Sequence, residues 1–404
     1  MAITILQQPV TVQPAFNNLV YKVSSDNTAQ TNFKYIADII INGQSFRMAI
    51  FPNPTYDTGT FNIATIVRNY VQRDIDKGTY GFQENVNSKN EVFVRFGEEY
   101  AGVVYPTLTT SNTTLVWNGV LDFLPAANYT KANYVMSSTP INYLTTMPSS
   151  GVVRDSEDAW LYALTETSGV VYHAKVITYD SNGSIIQTVK VNNPFQAVSS
   201  TNSKYLRFGC GTNNLNLIAS SGITDGGAQP IITSSVAKYD ITFQKFDGTA
   251  VSNTHTFLVD NTCTKNNVYR LHFLNRLGGY DSFSFIRASK KNITVQRSNY
   301  RQIVGADTSA TAWGYSTKDR GQTTYNSRSN ESISIKSDWI TEATNDWLKE
   351  LITSVDVYLD DATYGLVPIN IVNSSYDLKQ TVTDRLWNLD IQFVYSNDNY
   401  SQTR

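Results

Sequence analysis

The chain has 404 residues, with 32 Lys and Arg against 34 Asp and Glu, a formal net charge of −2. Only 16% of the residues are charged, while aromatics reach 12%, with 25 Tyr and 18 Phe. That composition is too aromatic and too weakly charged for a disordered chain, lacks the basic balance of a dedicated nucleic-acid binder, and with two Cys excludes a disulfide scaffold.

The sequence starts Met-Ala-Ile-Thr-Ile-Leu-Gln-Gln-Pro, without the basic and apolar regions of a secretory signal, so the chain is expected to stay in the compartment of synthesis or to leave it with an assembly. No run of about 18 apolar residues predicts a membrane helix. Period-two alternation then dominates. It predicts strands at Leu19–Val23, Phe46–Ile50 and Glu91–Phe96. Between them, Ile63, Ile66, Val67 and Tyr70 fall at helical spacing and predict a helix over about 61–74. Tyr105–Thr114, Ser137–Ser150 and Ala197–Ser203 are polar and read as loops.

A long strand is predicted at Val170–Tyr179, turning at Asn182-Gly183 into Ile185–Val189. Asn-Gly between two apolar runs suits a tight hairpin, because both central residues take positive φ. Tyr239–Phe246 with Asp247-Gly248 repeats the plan, and His255–Val259 is the return strand. Leu271–Phe285 follows as two apolar strands about Gly278-Gly279, with Arg276 and Asp281 placed to pair across the turn. A basic stretch comes next: Arg287, Lys290, Lys291, Arg297 and Arg301, interleaved with Ile293, Val295 and Tyr300. It fits a strand whose basic face meets an acidic neighbour better than one tracking phosphates. Residues 305–334 read as a long polar loop carrying Trp313, Tyr315 and Tyr325, the sort of segment that binds a partner. An amphipathic helix is predicted over 338–352, capped by Ser337 or Asp338. Strands at Val355–Leu359, Leu366–Val372 and Leu386–Tyr395 complete the chain.

The expected fold is mainly β: two β-sandwich-like (Ig-like) domains over 1–126 and 127–266, then an α+β region over 267–404.

Catalytic patterns are weak. Gly209-Cys210-Gly211 resembles a nucleophile turn, and His173, His255 and His272 are possible bases, yet glycines serve turns and strand histidines serve cores more often. Asp360-Asp361 on a strand point to opposite faces and cannot act together. Asp155, Glu157 and Asp158 lack the spacing of a known calcium loop. Nucleotide-cradling glycine motifs are missing. Cys210 and Cys263 read as reduced, buried residues. The sequence therefore predicts no enzyme, no cofactor and no metal.

The run Leu274-Asn275-Arg276-Leu277-Gly278-Gly279-Tyr280-Asp281-Ser282-Phe283 resembles a segment of tail and baseplate-type structural proteins of phages infecting Bacteroidota, crAss-like phages among them. Phe51–Val67, Trp347–Ser354 and Leu366–Ile371 are similar to the same group, so that about a third of the chain carries the resemblance. The resemblance implies a virion protein of the tail hub, ring or baseplate, assembled in the host cytoplasm. Its partners would be further copies of itself, in a ring, and other tail or neck proteins, with no nucleic acid. Arg276, Tyr280, Asp281, Arg297, Arg301, Trp313, Tyr315 and Tyr325 are the candidate interface residues. The alternative is a receptor- or carbohydrate-binding fibre module, in which Trp313, Tyr315 and Tyr325 stack on sugars.

Overall fold

A computed structural model describes residues 3–78, 80–167, 169–196, 204–224, 227–372, 387–397 and 399–400. The segment Ala197–Ser203, read as a loop, and Leu386 lie outside these residues. The chain is mainly β, and the only described α-helix longer than five residues is Glu342–Thr353. It divides into two compact units. The first comprises residues 1–262, 273–283 and 347–354, and the second 263–272, 284–346 and 355–404. No helix among the described residues is long and apolar enough to cross a membrane.

The first unit holds two apolar cores. Around one, an antiparallel sheet of Ile3–Gln7, Val20–Ser25 and Thr58–Asn62 faces a larger sheet. That sheet runs Val12–Pro14, Thr114–Trp117, Lys89–Tyr100, Lys34–Ile41, Gln44–Ile50, with Val103–Thr110 also paired to Lys89–Tyr100. Alternation places Tyr21 and Val23 inward from one sheet and Val92, Val94 and Phe96 inward from the other. Tyr21 and Phe61 meet the Phe96 ring at 5.6 and 5.8 Å. Residues 105–110, expected in a loop, are thus a strand. Its polar Thr-rich sequence and Pro106 are tolerated at an edge, and Thr109 Oγ1 donates to the Ile3 carbonyl at 2.9 Å.

Around the second core, the sheet Val135–Met136, Trp160–Thr165, Lys204–Gly209, Phe82–Glu84 lies with a six-stranded one. The latter runs Ser150–Arg154, His255–Asp260, Lys238–Gln244, His173–Tyr179, Ile185–Asn192, Ile223–Thr224. Val176, Ile241, Phe243, Leu161 and Phe208 fill the space between them. Phe82–Glu84 joins this sheet from the N-terminal segment, pairing with Leu206–Phe208. Phe82 packs 4.7 Å from the Phe208 ring and 5.0 Å from that of Phe243. Residues 1–262 fall in one unit, with no division near residue 126.

Two helix expectations need correction. Over 61–74 only Ala64–Val67 is α-helical, followed by a 3₁₀ turn at Arg68–Tyr70. Phe61 and Asn62 belong to a strand paired with Val20 and Tyr21. The β-branched Ile63, Thr65, Ile66 and Val67 favour helix weakly. The C-terminal helix begins at Glu342, not 338, because Ser337 and Asp338 are used elsewhere. Ser337 Oγ accepts from the Leu389 N–H at 2.9 Å, and Asp338 pairs with Arg287. Thr341 is the cap, its Oγ1 accepting from the Thr344 N–H at 3.3 Å.

The second unit is built on an eight-stranded sheet. Its order is Tyr280–Phe285, Tyr269–Leu274, Val357–Asp361, Gly365–Ile371, Asp390–Tyr395, Gln322–Lys336, Lys290–Arg301, with Asn399–Tyr400 also beside Gln322–Lys336. The turn half of the first two strands, residues 273–283, belongs to the first unit. Ile333, Ile335, Ile391 and Phe393 are buried in this sheet.

Candidate functional site

The Gly278-Gly279 turn is the first region the sequence singles out. The Asn275 N–H donates to the Gly279 carbonyl at 2.8 Å. Asn275 Oδ1 accepts from the Leu277 and Gly279 N–H groups at 2.9 and 3.0 Å. Asn275 Nδ2 donates to the Leu144 carbonyl and to Asp281 Oδ1. Asp281 Oδ2 accepts from Thr145 Oγ1 and Trp347 Nε1, both at 2.7 Å. Glu350 closes the set, accepting from the Arg276 N–H at 3.0 Å and from Thr146 Oγ1 at 2.7 Å. Gly278 sits at φ +85°, and a Cβ there would lie 1.7 Å from the Asn118 carbonyl oxygen.

This turn is an internal lock. Tyr280 and Asp281 are buried, so these two candidate interface residues are not open to a neighbouring chain. The expected Arg276–Asp281 pair is not made either: Arg276 pairs with Asp122. The reason is burial. Asp281 is satisfied by three neutral donors inside the unit, while the longer arginine reaches outward. Burial, more than the charge of nearby Glu350, pushes the Asp281 carboxyl up to about 7.

The second region replaces the expected loop at 305–334. Lys290–Arg301 and Gln322–Lys336 form a two-stranded ribbon, in register from Lys290 opposite Ser334 to Arg301 opposite Gln322, with one bulge at Ser298/Asn299. A small hairpin, Ala306–Ser309 with Ala312–Gly314, forms its tip. The twelve residues of Lys290–Arg301 reach roughly 40 Å. Alternation puts Lys291, Ile293, Val295 and Arg297 on one face and Asn292, Thr294, Gln296 and Ser298 on the other. Both faces of Lys290–Arg301 are exposed nearly throughout. Ile293 is 64% exposed, Ile303 82% and Tyr315 78%. Val295, Tyr300, Val304, Trp313 and Tyr325 are exposed as well.

Edges are open too. Among the described residues no strand pairs with the outer side of Lys290–Arg301. The return strand meets Asp390–Tyr395 only from Ser332 to Lys336, and Asn399–Tyr400 at Arg328 and Ser329. The tip is internally braced. Trp313 Nε1 donates to the Val304 carbonyl at 3.1 Å, and Tyr325 lies 6.2 Å from the Tyr300 ring. Five of the candidate residues, Arg297, Arg301, Trp313, Tyr315 and Tyr325, thus share one exposed element.

The remaining candidates have structural settings. Cys210 is buried in the second core, where its carbonyl accepts from the Tyr239 hydroxyl at 2.7 Å. Neither cysteine is in a disulfide, and Cys263 is exposed, contrary to the expected burial. His173 is hydrogen-bonded to Gln244 at 3.0 Å, His272 approaches Asp360 at 3.5 Å, and burial pushes His255 down to about 4. Asp158 accepts from Asn213 at 2.9 Å. Among the described residues no group of three or more His, Cys, Asp or Glu is placed to hold a metal ion. Comparison of the chain with protein-family models and with curated protein sequences finds no match to either.

Proposed function

We propose that this protein is a non-enzymatic structural component of a phage tail, acting as a hub, ring or baseplate element present in several copies. In this reading it assembles in the host cytoplasm, resides in the virion and contacts other tail or neck proteins. The observation that carries the reading is the ribbon of residues 290–336. A two-stranded ribbon is marginal in water on its own. This one adds exposed apolar side chains and open edges, which soluble proteins ordinarily cover or blunt. Neighbouring subunits in an assembly supply that cover. The resemblance of Leu274–Phe283 to tail and baseplate proteins supplies the kind of assembly. The test is imaging and mass spectrometry of particles made with and without this gene. Tails should be defective without it and hold it in several copies with it; intact, infectious tails without it refute the reading.

A second reading rests on Tyr315 and the exposed faces of Trp313 and Tyr325, which suit sugar stacking. Glycan-array binding that disappears when all three are changed to Ala supports it. An empty array and unchanged adsorption of the triple variant remove it.

A further inference from the structure

We propose that the ribbon is a clasp whose partner is the body of a second copy of this chain, joined head to tail. This deepens the structural reading above and rests on it. Residues 290–336 hold eight Lys and Arg against three Asp and Glu, net +5, while the rest of the chain holds 24 against 31, net −7. A chain close to neutral as a whole is therefore uneven in charge, with an excess of cations on the ribbon. Lys291 and Lys336 have partners of their own, in Glu331 and Asp390. Lys290, Arg297, Arg301, Lys318 and Arg320 are exposed, and among the described residues no carboxylate pairs with them. Opposite potentials across an interface steer association and fix orientation. Here the complementary surface is the remainder of the same chain.

The same charges decide the geometry. Two ribbons, each at +5, repel, so a symmetric ribbon-to-ribbon dimer is disfavoured. Ribbon against body is a heterologous contact, and repeating it closes a ring when the rotation closes. Ile293 and Val295, next to Arg297 on one face, supply apolar area to bury once the charges have docked.

The test is sedimentation of the full chain at about 50 and 500 mM salt, where screening lengths differ about threefold. Oligomers should form at low salt, and association should weaken at least about tenfold at high salt. A variant with residues 298–326 replaced by Asn-Gly, joining the facing Arg297 and Ser327, should be monomeric. Because that change could disturb folding, R297E/R301E/R320E keeps the whole ribbon. It should lose association about tenfold or more with an unchanged melting curve. Mixing intact and shortened chains should give capped complexes, since a ribbonless body still accepts a ribbon. A monomeric full chain at both salts, wild-type association of both variants, or failure of shortened chains to cap intact ones overturns the proposal. So does a ribbon-dependent shift of single-stranded DNA without self-association, which reassigns the cations to phosphate. The tail role is judged separately by particle composition: tails containing the shortened chain at normal copy number refute the clasp and leave that role standing.

Discussion

The turn at 273–283 and the ribbon at 290–336 are both hairpins whose residues the sequence marks for contact, yet they stand at opposite extremes of burial. The turn spends its polar groups inward. Asn275, Thr145 and Trp347 all donate to Asp281, Glu350 accepts from the Arg276 N–H and Thr146, and two glycines let neighbouring backbone and a tyrosine ring approach. The ribbon's Lys290–Arg301 strand turns polar and apolar groups alike toward solvent. Charged and aromatic residues beside a Gly-rich turn do not by themselves distinguish a lock from a docking surface. What distinguishes them is whether each polar group finds its partner within the unit.

Substitution should separate the two most sharply at Gly278. Gly278→Ala places a methyl against the Asn118 carbonyl at a positive φ and should cost about 3–5 kcal/mol, read by denaturant unfolding. A loss under about 1 kcal/mol would mean the turn is not seated as described. Next comes pH. With its carboxyl raised, Asp281 in the folded chain keeps a proton that the unfolded chain releases between about pH 4 and 7. Its contribution is therefore complete below about pH 4 and is lost as pH rises through 7, by up to about 4 kcal/mol. Asp281→Asn cannot titrate and should flatten that part of the stability profile. An unchanged slope places the titration elsewhere.

Smaller effects sharpen the contrast. Thr341→Ala removes the helix cap and should cost about 1 kcal/mol in thermal unfolding. On the ribbon, Ile293→Ser with Val295→Ser should change monomer stability by no more than about 0.5 kcal/mol, because both side chains already face water. The same pair should weaken self-association in sedimentation. A large stability loss instead would show that the ribbon is packed, not presented.

Strands with one buried face were legible, whereas Lys34–Ile41 and Trp160–Thr165, buried on both faces, carry no alternation and were not. Val20–Ser25 and His173–Tyr179 alternate as the sequence predicts. At the hairpin turns Gly183 and Gly248 take positive φ as expected, but Asn182 and Asp247 do not, so neither is the turn with two positive-φ residues that Asn-Gly and Asp-Gly suggest. Of the ribbon, Lys290–Arg301 was legible as a strand from its basic face, whereas the polar stretch Gln322–Glu331 of its partner carries no hydrophobic period and read as a loop. The three-residue strand Phe82–Glu84 is too short to signal, although it joins the N-terminal segment to the second core. At the helix start, the cap is Thr341 and not the Ser337 or Asp338 that the sequence suggested. Of the candidate residues, those on the ribbon were legible by type, as exposed aromatics and arginines. The inward turn of Tyr280 and Asp281 depends on Thr145 and Trp347, more than sixty residues away in sequence, which no local pattern contains.

The strand Phe82–Glu84 also sets an order of events on the ribosome. The first core draws on residues up to Val116 and can close once that stretch has emerged. Phe82 belongs to the second core, whose members extend to Phe257. At about 5–20 residues per second, roughly seven to thirty seconds of synthesis separate the two closures. Through that interval a finished core carries the strand Phe82–Glu84 with no sheet to join, its aromatic side chain exposed until Leu206–Phe208 arrives.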